Sequence, residues 1–186
     1  MIDRYFKQLP IKIDMLDSTK MDLIPRRAFN NKTYYSSINN PEYANYLNNL
    51  FKELNPRDVS YCEFPGAWPH IDHDNSKCAI NHYYVTQNVE TVYYDPKPGA
   101  RPFQGIDEEA SCFFNKEDII EANRFCAPSN TVWLLDVTKI HGLEFSHGFG
   151  PLRTFVKWRI DMPYDEVYGL LFEKIIPKFN AEKIYG

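Results

Sequence analysis

Two histidines and two aspartates fall within the seven-residue segment WPHIDHD, residues 68–74. In an extended chain, side chains two positions apart point to the same face. His70 and Asp72 therefore aim an imidazole and a carboxylate at one point, and His73 faces elsewhere. A second histidine arriving from another part of the fold would complete two nitrogens and one oxygen on one face of a metal. Such a set leaves three positions open and suits non-haem Fe(II) oxygen chemistry. Alone, an H-x-D segment reads as a polar surface turn. His73 and Asp74 read as solvated loop residues.

Two histidines downstream compete for the third place. His141 follows the apolar run VWLLDV, and Arg153 lies twelve residues after it. His147 sits in the glycine-flanked segment SHGFG, where a loop histidine is the plainer reading, with Lys157 or Arg159 as its following cation. The first pairing is favoured. Lys157 and Arg159 share a strand face with Arg153 if that strand is regular.

The elements that must hold these residues are mostly extended. VSYCEF, CAINHYYV, ETVYYD, TVWLLDV, GLEF and RTFVKWRI are short runs rich in β-branched and aromatic residues, and IKIDM (11–15) alternates like a half-buried strand. Residues 39–56 read as a helix. Asn40 caps it, Pro41 opens it, Tyr43, Tyr46, Leu47, Leu50 and Leu54 form its apolar face, and Asn55-Pro56 ends it. NKEDIIEANRF (115–125) reads as a short helix capped by Asn115, and 164–175 as a closing helix. DPKPGARPFQG (95–105) reads as a long loop, and residues 95–110 as a candidate lid over the site. The expected architecture is a single mainly β domain over 1–186. Residues 1–57 supply a supporting strand and helix, 58–161 a jelly-roll core, and 162–186 a C-terminal helix.

The bulk numbers suit this reading. The chain has 186 residues, 44% hydrophobic and 25% charged, an ordinary globular balance. Its net charge of −4 disfavours a broad nucleic-acid footprint. No run approaches the roughly 18 apolar residues of a membrane span. The opening MIDRYFKQLP has no apolar signal core, so the expected location is cytoplasmic. Cys62, Cys78, Cys112 and Cys126 form no C-x-x-C pair and read as reduced thiols. A reducing compartment would also keep iron ferrous.

The order of the motifs carries a resemblance. Tyr61, Pro65-Gly66, His70 and Asp72 in YCEFPGAWPHID, then Asn81 in CAINHYY, then NTVWLLDVTKIHGLEF, then GPLRTFVKWRID resemble the Fe(II)/2-oxoglutarate-dependent oxygenase superfamily, in its prolyl-hydroxylase-like and aspartyl/asparaginyl-hydroxylase-like branches. The likeness spans roughly residues 58–161. It implies a double-stranded β-helix, or cupin-like jelly roll, with Fe(II) on His70, Asp72 and His141, 2-oxoglutarate as cosubstrate and O2 as oxidant. Arg153 would grip the far carboxylate of 2-oxoglutarate, for which its planar fork is suited, and Asn81 would line the cosubstrate site. The carboxylate of Asp72 implies hydroxylation rather than halogenation. One departure stands out: many relatives carry Ser or Thr two residues after the arginine, and here Phe155 occupies that place.

The prime substrate is an unidentified small molecule or protein side chain. A non-catalytic metal- or ligand-binding jelly roll is the alternative. A zinc hydrolase would need Glu63 or Glu144 as its base. His82 reads as strand filler beside Asn81, and Trp68 as rim packing or a shaper of the pocket mouth.

Overall fold

Alternation of side-chain type decides which strands bury both faces. CAINHYYV becomes a strand whose first seven residues are all buried, and RTFVKWRI one buried at six of eight positions. Both lie in the interior of one sheet. The computed structural model describes residues 4–29, 33–64, 66–72, 76–86, 88–104, 111–145 and 153–179.

The strands are β1 (Phe6–Leu9), β2 (Leu23–Phe29), β3 (Thr33–Ile38), β4 (Asp58–Phe64), β5 (Ala67–Asp72), β6 (Cys78–Val85) and β7 (Val89–Pro96). They continue as β8 (Phe103–Gln104), β9 (Ser111–Phe113), β10 (Ile119–Cys126), β11 (Thr131–Asp136), β12 (Ile140–Phe145) and β13 (Arg153–Ile160). Helices α1 (Pro41–Leu50) and α2 (Tyr164–Leu170) complete the set, with a π-helical turn at Leu171–Ile175 extending α2. The fold is mainly β, in two antiparallel sheets. A seven-stranded sheet runs β1-β11-β6-β13-β4-β3-β2, and a six-stranded sheet runs β10-β7-β12-β5-β9-β8. From β4 to β7 the chain changes sheet at every strand, and it does so again from β10 to β13.

Three apolar clusters separate the layers. Tyr93 and Phe125 of the six-stranded sheet pack between the sheets with Tyr83, Trp133 and Phe155 of the seven-stranded one. On the far side of the larger sheet, Ile80, Leu134, Val156 and Trp158 pack under Leu47 and Phe51, at the α1 end, and under Val167 of α2. Ile140, Val92 and Ile119 cover the outer face of the smaller sheet. Among the described residues, no helix is long and apolar enough to cross a membrane.

Helix α1 starts where the sequence placed it but ends at Leu50, and Lys52–Leu54 form a separate 3-10 turn before Asn55-Pro56. The Asn40 side chain accepts from the backbone N–H groups of Glu42 and Tyr43, and Leu47 is its buried face. Three expectations need correction. IKIDM pairs with no strand, although Ile11 and Ile13 are both buried. Its alternation reports one-sided burial against the helix-side core, not a ladder. The supporting strand is instead β1, pairing β11. Residues 115–125 are not a helix. After a 3-10 turn at Lys116–Asp118 they form β10, laddered onto β7 with a bulge between Glu121 and Asn123, and tertiary pairing overrides local propensity. Asn115 makes no capping bond there. The N-terminal part also holds more than one strand and a helix, because β2 and β3 form a hairpin that extends the larger sheet beyond β4. Pro25 lies in β2, an edge strand where proline is tolerated. Of the candidate lid, residues 97–104 are described and end in β8; 105–110 lie outside the described residues.

Candidate metal centre

Strands β5 and β12 lie side by side, with His70 and His141 directly paired across the ladder. Cross-strand partners share a face, so both rings project to the same side. Asp72 follows two residues after His70 and joins them. The three offer ligand atoms that all lie within 4.8 Å of one another. The two imidazole rings have centroids 4.5 Å apart, and His70 Nε2 stands 3.2 Å from Asp72 Oδ1.

Both rings are oriented by backbone. His70 Nδ1 lies 2.7 Å from the Trp68 carbonyl oxygen, and His141 Nδ1 lies 2.8 Å from that of Lys139. A carbonyl only accepts, so each Nδ1 carries a proton and each Nε2 is the ring nitrogen turned towards the cluster. Burial, followed by the neighbouring His70, lowers the His141 pKa to about 4, so its ring is neutral at ordinary pH. Burial alone would raise the Asp72 pKa. Lys157, His70 and His141 outweigh it and hold the carboxyl well below the usual range. A neutral His141 beside an ionised Asp72 carboxylate is the state a divalent cation requires of these two ligands.

Gly142 makes the pairing possible. A Cβ there would stand 3.0 Å from the Ala67 carbonyl oxygen and 3.3 Å from the Pro69 nitrogen. The register also shifts between His141 and Leu143, and such a bulge re-aims a side chain.

Arg153 opens β13 and turns into the space between the sheets. It is 1% exposed, and its Nη1 donates to Thr91 Oγ1 at 2.8 Å. Its guanidinium lies 4.1 Å from the Tyr83 ring centroid. Its Nε and Nη2 have no hydrogen-bond partner among the described residues. Burial lowers its pKa, yet a guanidinium remains charged. A buried cation with two idle donors is costly unless an anion completes it. Phe155 does not supply a hydroxyl; its ring packs on Phe64 and Tyr83. The hydroxyl at the guanidinium comes from Thr91 of β7 instead.

Asn81 also faces the interior. Its Nδ2 donates to Tyr83 Oη at 3.0 Å, and its Oδ1 is buried without a hydrogen-bond partner among the described residues. His82 faces the helices, with its Nε2 3.0 Å from Asn130 Oδ1. Tyr61 likewise packs on the helix side, against Tyr84. Trp68 is 52% exposed, and its Nε1 donates to the Phe114 carbonyl. Glu144 is engaged on the outer face by Tyr94 and Lys116. Glu63 alternates with the interior residue Cys62 and so turns from the cluster. Neither is placed to serve as a base at the three ligands. His73, Asp74, His147 and Pro65 lie outside the described residues.

Thr91, Tyr93 and Tyr83 are missing from the site read from sequence, where Lys157 enters only as a strand-face companion of Arg153. Thr91 holds Arg153, and Tyr93 stacks on His141 at 5.8 Å with its own hydroxyl unpartnered. Tyr83 lies under the guanidinium, and Lys157 reaches Asp72. Strand alternation in ETVYYD and RTFVKWRI would have placed all but Tyr83 on an inward face. No model of a known protein family matches this chain, and no curated protein matches it either.

Proposed function

We propose that this chain is an Fe(II)- and 2-oxoglutarate-dependent oxygenase that hydroxylates a small molecule or a protein side chain. One observation carries the reading: a partly buried two-histidine, one-carboxylate cluster shares the space between the sheets with a buried arginine whose Nε and Nη2 have no hydrogen-bond partner among the described residues. The strand order supports it. The central runs β11-β6-β13-β4 and β10-β7-β12-β5, filled by a chain crossing between sheets, are consistent with the proposed double-stranded β-helix, or jelly roll.

His70, Asp72 and His141 would hold Fe(II) on one face, leaving room for a chelating cosubstrate and O2. Thr91, which holds Arg153, lies two residues along β7 from Tyr93, which stacks on His141, a rise of about 7 Å. That separation suits a dicarboxylate with one end at the metal and the other in the arginine fork. Asn81 and Tyr83 line the same space with an idle oxygen and a hydroxyl. When bound, the iron and 2-oxoglutarate supply the oxidising power for C–H hydroxylation, with succinate and CO2 released. Phe155, Tyr93 and Trp133 keep water from the deep end of the space. The location expected from sequence, the cytoplasm, would keep this iron reduced.

Anaerobic addition of Fe(II) and then 2-oxoglutarate tests the reading. A weak visible charge-transfer band is expected in the wild type. It should vanish in His141→Ala with loss of metal, and in Arg153→Ala with metal retained. Metal binding without the band would favour the non-catalytic jelly roll. No metal binding by the folded wild type would overturn both.

A further inference from the structure

Lys157 is a second buried cation beside the cluster. It lies four residues after Arg153 on the same face of β13, and its Nζ stands 3.0 Å from Asp72 Oδ2. Both side chains are 10% exposed. The other carboxylate oxygen, Oδ1, is the one 3.2 Å from His70 Nε2. The two oxygens of Asp72 are therefore divided: one faces the ligand histidine and the other faces an ammonium. The Asp72 backbone N–H also donates to the Val137 carbonyl at 3.3 Å, which steadies the residue from behind.

We infer that Lys157 is a positioning residue that commits Asp72 to one-oxygen metal ligation. The inference rests on the metal-centre reading above. A free carboxylate can bind a metal with one oxygen or with both. Two-oxygen binding would take one of the positions that a chelating cosubstrate and O2 need. Holding Oδ2 in a charge-assisted hydrogen bond removes that choice before the metal arrives. Lysine suits the task because its compact ammonium sits on a long stem that crosses from the larger sheet to the smaller. In β13, Arg153 and Lys157 are thus two interior cations with different duties: Arg153 offers idle donors to an incoming anion, and Lys157 holds an anion of the protein.

Metal affinity alone is a poor readout. Removing the ammonium takes a positive charge from beside the metal, which strengthens binding, and also frees the carboxylate, which weakens it. Geometry decides. Co(II) is the probe, added to metal-free protein without 2-oxoglutarate, with its visible absorption bands recorded for wild type, Lys157→Met and Lys157→Arg. The Met variant should show shifted and altered bands, and the Arg variant should return towards the wild-type spectrum. Superimposable spectra for wild type and the Met variant would overturn the inference while leaving the metal centre intact. No Co(II) binding by wild type would instead overturn the metal centre itself. A crystal structure of Zn(II)-loaded wild type gives the answer even if the Met variant fails to fold. Oδ2 should remain on Lys157, and Oδ2 bound to the metal would refute the role.

Discussion

The two faces of the seven-stranded sheet are built from the same strands to opposite purposes. Towards the helices, β13 presents Val156, Trp158 and Ile160, all 0% exposed and packed among apolar neighbours. Towards the smaller sheet, the alternate residues are Arg153, Phe155 and Lys157. On the helix-side face Trp158 Nε1 donates to the Leu47 carbonyl, while His82 Nδ1 is buried without a hydrogen-bond partner among the described residues. The interior face keeps idle polar atoms on Arg153, Asn81 and Tyr93. Buried polar groups without partners are destabilising, so the interior face costs stability that the apolar packing on the helix side offsets.

Four substitutions or conditions break or sharpen this contrast. Trp158→Ala should have the largest effect, a loss of about 3–5 kcal/mol of unfolding free energy by urea titration, with the metal affinity of the remaining folded protein unchanged. Arg153→Met should act in the opposite direction on stability, leaving it equal or raising it by about 1–4 kcal/mol while abolishing 2-oxoglutarate binding. A large loss of stability there would show that the interior is as structural as the helix side. Gly142→Ala should cost about 1–3 kcal/mol, because its Cβ meets the backbone of β5, and should weaken metal binding by displacing His70 from His141.

Acidification is the mildest probe. The folded pKa of His141, about 4, and the lowered pKa of His82 both lie below the unfolded histidine value. Below about pH 6.5 the unfolded chain binds protons that the fold refuses, so metal-free stability falls as pH drops. The slope is at most about 1.4 kcal/mol per pH unit for each group, and for His141 it ends near pH 4. His141→Ala should flatten the curve.

Much of the site could be read from residue order. H-x-D spacing placed His70 and Asp72 together because period two is a property of any strand, and the strand-like runs mapped onto β4, β6, β7, β11, β12 and β13. What stayed hidden depended on partners far along the chain. Whether Ile11 and Ile13 have a ladder neighbour, or whether IIEANRF lies against β7, is set by tertiary pairing that no local window contains. Lys157 was visible as a strand-face companion of Arg153, but its grip on Asp72 needed two sheets to meet. The need for glycine at position 142 likewise appears only once the β5 backbone stands against it.

The direct pairing of His70 with His141 has a consequence for how the proposed site would acquire a metal. These histidines belong to β5 and β12, and six of the thirteen described strands, β6 to β11, lie between them in the chain. An ion bridging them closes a loop of about 70 residues, a constraint worth roughly 4 kcal/mol of unfolded-state entropy. The disordered chain therefore offers no preformed chelate, and the cation selects molecules in which the late strands have already found their places. If the proposed iron site is correct, loading would act as a proofreading step, because a chain misregistered at β12 would not bring His141 to His70 and would not retain the ion.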